Sequence, residues 1–93
     1  MTRRLRPPAP LAVRCRPDGA PTLLRRAGRE RVVTHVAATW VRPAAWWTDR
    51  ADGTGPDPLL LERTYYRVIA DGAVALEIFA TTDGRWYLER IID

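Results

Sequence analysis

The pattern of apolar and polar positions is clearest in the last thirty residues. There TYYRVIA, AVALEIFAT and RWYLERIID alternate as strands and are separated by Asp71-Gly72 and Asp83-Gly84. Runs rich in Tyr, Val, Ile, Phe and Trp, broken by Asp-Gly, are the strongest short-range signal for hairpins. The spacing therefore predicts a three-strand antiparallel meander over residues 64–93. A one-residue slip would turn every side chain to the wrong face, so register is tested by asking which loop gives one apolar face. A three-residue loop Ala70-Asp71-Gly72 pairs Tyr66 with Leu76 and Val68 with Val74, and sets Arg67 opposite Ala75 on the other side. The next hairpin has two solutions. A loop of Thr82, Asp83 and Gly84 places Trp86, Leu88 and Ile92 with Ile78 but sets Glu77 opposite Glu89. A two-residue loop pairs Glu77 with Arg90 and turns Glu89 toward the core. The first is preferred.

Upstream, alternation begins at Leu11. LAVRCR reads as a strand, Pro17-Asp18-Gly19 as a turn, TLLRRA as the partner strand and Ala27-Gly28-Arg29 as a second reversal. RVVTHVAATWV is the longest unbroken run. Strict alternation puts Val33, His35 and Ala37 on one face and Thr34, Val36, Ala38 and Trp40 on the other, more apolar one. So long a strand is expected to bend and serve both halves of a small barrel. The fold expected is all-β, with about six antiparallel strands in a small SH3-like or partly open barrel that ends in the meander. Residues 1–10, with three arginines and three prolines, lack periodicity and are expected to form a flexible basic arm. Residues 11–93 then make one small β domain, with a long polar loop at about 48–61 rich in Gly, Pro and Asp.

Charge changes this picture. Residues 1–31 carry nine arginines against two acids, Asp18 and Glu30, while the remainder carries six against nine. Lysine is absent. GC-rich codon usage accounts for much of that bias; selection for planar, bidentate donors facing phosphate or carboxylate is the sharper explanation. Arg3, Arg4, Arg6, Arg25, Arg26, Arg29 and Arg31 are accordingly candidate nucleic-acid contacts. Neighbours Arg25 and Arg26 point to opposite faces of a strand, so one continuous basic stripe is not implied.

Apolar candidates lie elsewhere. Trp46 and Trp47 cannot both face inward if their segment is extended, and Leu59, Leu60 and Leu61 follow the polar loop as an edge strand or exposed patch. These five are candidate partner contacts. Catalysis finds little support: there is no Ser-His-Asp order, no HExxH, no phosphate loop and no dinucleotide fingerprint. No cofactor is implied. His35 stands without a second ligand at metal spacing. Cys15, flanked by Arg14 and Arg16, is a candidate for a lowered pKa, though a mid-strand cysteine more often simply fills space. One cysteine excludes an internal disulfide framework and fits a reducing compartment. No apolar run has the length of a signal peptide or membrane span, so a soluble, cytoplasmic protein is expected.

Trp46-Trp47, Tyr65-Tyr66-Arg67-Val68 and the terminal Gly84–Asp93 run GRWYLERIID, taken in order, resemble a small domain family of unknown function common in high-GC bacteria, especially actinobacteria. The pattern is also similar to the C-terminal tail of the catalytically inactive Y-family polymerase homologue of the bacterial mutasome. The resemblance covers about residues 11–93 and implies no catalytic residue. It implies only a role near DNA damage tolerance; together with the Trp46-Trp47 pair, the Leu59–Leu61 patch and exposed strand edges, it leads to the expectation of a non-catalytic protein-interaction module, accessory to a DNA repair or translesion assembly. A small nucleic-acid-binding barrel using the arginine-rich N-terminal third is the alternative.

Overall fold

The computed structural model describes residues 2–43 and 62–92, which form six strands: β1 (Thr2–Cys15), β2 (Pro21–Arg26), β3 (Arg29–Arg42), β4 (Arg63–Ala70), β5 (Val74–Thr81) and β6 (Trp86–Ile92). Each strand pairs antiparallel with its chain neighbours, and β1 pairs with β6, closing a single up-and-down ring. Closure of this kind removes free sheet edges. No helix occurs among the described residues, so none is long and apolar enough to cross a membrane. The expected all-β, six-strand barrel is what the chain forms.

The interior is filled by Leu24, Val68, Ala70, Leu76, Ile78 and Leu88. Leu5, Ala9, Leu11, Val13, Val33, Val36, Tyr66, Val74, Trp86 and Ile91 pack around them. Leu5 and Ala9 come from the segment expected to be a flexible arm. That expectation fails: residues 2–10 are the first part of β1, and Thr2, Arg3 and Arg4 pair with Ile92, Ile91 and Arg90. The register shifts between Arg4 and Ala9, so Pro7 and Pro8, which have no N–H to give, sit in the irregular stretch. The two apolar anchors on either side of the prolines hold the arm down.

The first C-terminal hairpin keeps the expected faces but shifts the pairing by two residues. Val68 lies opposite Leu76, Tyr66 opposite Ile78, and Arg67 opposite Glu77 rather than Ala75. The loop is Asp71-Gly72-Ala73, with Asp71 and Gly72 both at positive φ. This register gives Arg67 a carboxylate partner across the strands.

The second hairpin uses both of the registers that the sequence allowed. Near the turn, Ala80 pairs with Trp86, Phe79 with Tyr87 and Ile78 with Leu88; beyond a bulge, Glu77 pairs with Arg90 and Leu76 with Ile91. Glu89 is the extra residue. The bulge removes the Glu77–Glu89 opposition and turns Ile91, not Ile92, toward the core.

β3 bends as expected, pairing with β2 through Arg29–Val32 and with β4 from Val33 onward. Register shifts between Val33 and His35 and between Val36 and Ala38 reverse the alternation twice. Val33 and Val36 therefore both face the core, and Trp40 lies on the opposite side of the sheet from Val36. Strict alternation misassigned these faces, because coiling a long strand around a small barrel needs bulges.

Candidate nucleic-acid interface

One end of the barrel is an arginine-rimmed mouth. It is built where β1, β3 and β5 begin and β2, β4 and β6 end, and it opens into a cavity of about 350 Å³. Leu11, Leu24, Val74, Leu76, Leu88 and Ile91 form its floor, and Arg3, Arg26, Arg29 and Arg31 its rim. Local geometry explains the convergence. Ala27 and Gly28 both have positive φ (53° and 76°), the pattern of a two-residue type I′ turn. That turn places Arg26 directly opposite Arg29. Arg26 has the parity of inward-facing Leu24, and Arg31 has that of Arg29, so all three aim at one cavity. Arg3 reaches it from β1, paired with Ile91 at the far wall.

The balance of charge at the mouth is uneven. Arg31 pairs with Asp71 at 3.2 Å, and the same carboxylate accepts the Val32 N–H at 3.1 Å. Arg3, Arg26 and Arg29 have no carboxylate partner among the described residues. Like charges directly opposite on paired strands are destabilising. Arg26 facing Arg29 across a turn that also forces an alanine into the left-handed region is a local conflict, of the kind proteins retain at functional sites.

The other candidate arginines do not join them. Arg4 faces Glu89 at 3.7 Å. Arg25 lies on the outer wall opposite Glu30, in a shallow depression with Arg14 and Leu23. Arg6 is exposed in the irregular part of β1. The basic residues thus form a cup, not a stripe.

A second constellation occupies the outside of the C-terminal sheet. Trp40, Tyr65, Phe79 and Tyr87 are successive register partners on β3, β4, β5 and β6. Their ring centroids are each 5.2 Å apart. Arg42 lies over Tyr65, Arg63 over Phe79 and Arg67 over Trp40. Tyr65 and Phe79 are buried, so this row is packed and offers no open platform for a base. Two buried carboxylates flank it. Glu77 takes Arg67 Nε at 3.0 Å and Nη2 at 2.5 Å, with Arg90 at 3.7 Å. Glu89 accepts the Tyr65 hydroxyl at 3.3 Å and lies between Arg4 and Arg63. These are structural ion pairs, with only the Arg90 Nε left without a hydrogen bond among the buried side-chain polar atoms of the described residues. The shared parity of Tyr65, Phe79 and Tyr87 in their strands was the signal that could have revealed the row.

The remaining candidates have plain settings. Trp46, Trp47, Leu59, Leu60 and Leu61, and the loop at 48–61, lie outside the described residues. His35 is exposed on β3 opposite Ile69, and no cluster of metal-ligating side chains occurs among the described residues. Cys15 is exposed at the end of β1. Its thiol pKa is raised, by partial desolvation of the sulfur and then by the Asp18 carboxylate, so the flanking arginines do not activate it. Tyr66, tilted against Trp86 inside the barrel, is likewise pushed up by desolvation.

No family model matches this chain, and neither a curated protein nor a solved structure does.

Proposed function

We propose that this chain is a non-catalytic binding module for single-stranded nucleic acid, gripping phosphates at the arginine mouth. The observation that supports it most is Arg26 held opposite Arg29, with Arg3 and Arg31 aimed at the same cavity and one carboxylate, Asp71, among them. Guanidinium groups match phosphate bidentately, and an uncompensated cluster gains most from an anion. The site is concave. A duplex presents a convex, regular backbone that cannot enter it, whereas a flexible single strand can. Contacts through phosphate alone make recognition independent of sequence, since the aromatic row that would stack bases is buried.

The protein-interaction reading has its anchors, Trp46, Trp47 and Leu59 to Leu61, outside the described residues, and the β1–β6 ladder occupies the terminal edges on which strand addition would build. In the setting implied by the resemblance, a DNA repair or translesion assembly, the module would hold an exposed strand. The test is fluorescence anisotropy with a labelled single-stranded 12-mer. Arg26→Ala combined with Arg29→Ala should abolish most binding. Arg16→Ala with Arg85→Ala, which removes equal charge at the opposite end of the barrel, should leave it nearly intact. Equal losses from both pairs would reduce the effect to net charge and overturn the reading.

A further inference from the structure

Resting on that reading, we infer that the mouth selects a strand terminus bearing a phosphomonoester over the interior of a strand. The shape of the basic surface carries the argument. An internal segment must enter a site and leave it, and it is held best by a track of cations along its path. Here the track is missing. Arg4 turns away to Glu89, Arg25 lies on the outer wall opposite Glu30, Arg6 is exposed in the irregular part of β1, and the other four candidates, Arg3, Arg26, Arg29 and Arg31, ring a single cavity. The β1–β6 ladder over Thr2–Arg4 borders that cavity on one side and the Ala27-Gly28 turn on another. Its floor is the barrel core. Such a dead end takes a chain end.

Charge and size point the same way. A terminal phosphate carries about −1.5 to −2 charge at neutral pH and three acceptor oxygens, against one charge for an internal diester. Three arginines without carboxylate partners among the described residues, and a fourth shared with Asp71, match that concentration of charge. The cavity of about 350 Å³ has room for one nucleotide unit behind its phosphate. Its aliphatic floor offers the sugar and base an apolar surface without polar groups that would read base identity.

The experiment compares internally labelled 12-mers of one sequence with a 5′-phosphate, a 3′-phosphate or hydroxyls at both ends, with circular single-stranded DNA as competitor. One phosphorylated form should bind about tenfold tighter than the hydroxyl form, the ratio that about 1.4 kcal/mol produces. Which form does so identifies the end. Circular DNA should compete poorly, and Arg26→Ala with Arg29→Ala should erase the preference. Equal binding of all three linear forms, with circular DNA competing as well, overturns the terminus proposal and leaves strand binding standing. No binding of any form overturns both.

Discussion

Replacing Glu77 by Ala tests how the C-terminal sheet is held together. The Glu77 side chain is 5% exposed, while its partners Arg67 and Arg90 are 46% and 34% exposed. Arg67 donates twice to one carboxylate oxygen, and Arg90 stands at 3.7 Å with a buried Nε that makes no hydrogen bond. A hydrogen bond to a charged group contributes about 1.5–3 kcal/mol when well buried. Solvent around the Arg67 guanidinium moves its pair toward the range of exposed pairs, about 0.2–1 kcal/mol. A coupling of about 1–2 kcal/mol between Arg67 and Glu77 is the intermediate result. The Arg90 contact adds less, and losing the carboxylate also removes the nearest anion from its buried Nε. Glu77→Ala should therefore cost about 2–3 kcal/mol, lowering Tm by about 10–20 °C for a domain of this size. Urea denaturation followed by circular dichroism, run as a double-mutant cycle with Arg67→Ala, isolates the pair. A coupling energy below about 0.3 kcal/mol, the ordinary error of additivity, would refute the role given to this carboxylate.

Two further perturbations probe the turns. Ala27 has φ 53°, a region that alanine occupies at about 1 kcal/mol or more above asparagine or glycine, so Ala27→Asn should raise stability by about 0.5–1 kcal/mol and Tm by several degrees in a thermal melt. A lower Tm would mean that the turn is not under strain. At the other end of the barrel, the Thr81 hydroxyl, then the Arg85 N–H and charge, hold the Asp83 carboxyl below its ordinary range. A depressed folded-state pKa means the contribution is fully present above the unfolded value and is lost as pH falls through the folded one. Stability measured from neutral pH downward should thus fall less steeply in Asp83→Asn than in the parent over that acid interval; identical profiles would sink the assignment.

Much of the fold was legible because turn chemistry is local. Asp71-Gly72, Asp83-Gly84, Asp18-Gly19 and Ala27-Gly28 punctuate the strands, and glycine at positive φ appears in all four turns. The interior of β4 and β5 followed from alternation alone. What could not be read arises from closure. A ring of six short strands must coil, and it does so through bulges at Glu89, in β1 and twice in β3, each of which reverses the period of two on which face assignment rests. Glu89 shows the limit well: the conflict between Glu77 and Glu89 was visible, but its solution is a local irregularity that no uniform register contains. The mouth was half legible. Arg26, Arg29 and Arg31 were candidates from charge, yet their meeting with Arg3 depends on β1 closing against β6, a contact between the two ends of the sheet. Arg4 and Arg25 were indistinguishable from them by composition, and it is their carboxylate neighbours Glu89 and Glu30, brought close by pairing, that set them apart.

The most direct measurement of the central claim is the salt dependence of single-strand binding, for the parent protein and for Arg29→Ala. About two phosphates held at the mouth, one inside the cavity and one at its rim, predict a slope of log K against log salt of about −1.4, from about −0.7 per phosphate on single strands. Between about 50 and 200 mM salt the affinity should then fall about 7-fold. Removing Arg29 should make the slope shallower, by up to about 0.7, and the fall as small as about 3-fold. A slope near zero, or one that Arg29→Ala leaves unchanged, would contradict phosphate binding at the mouth.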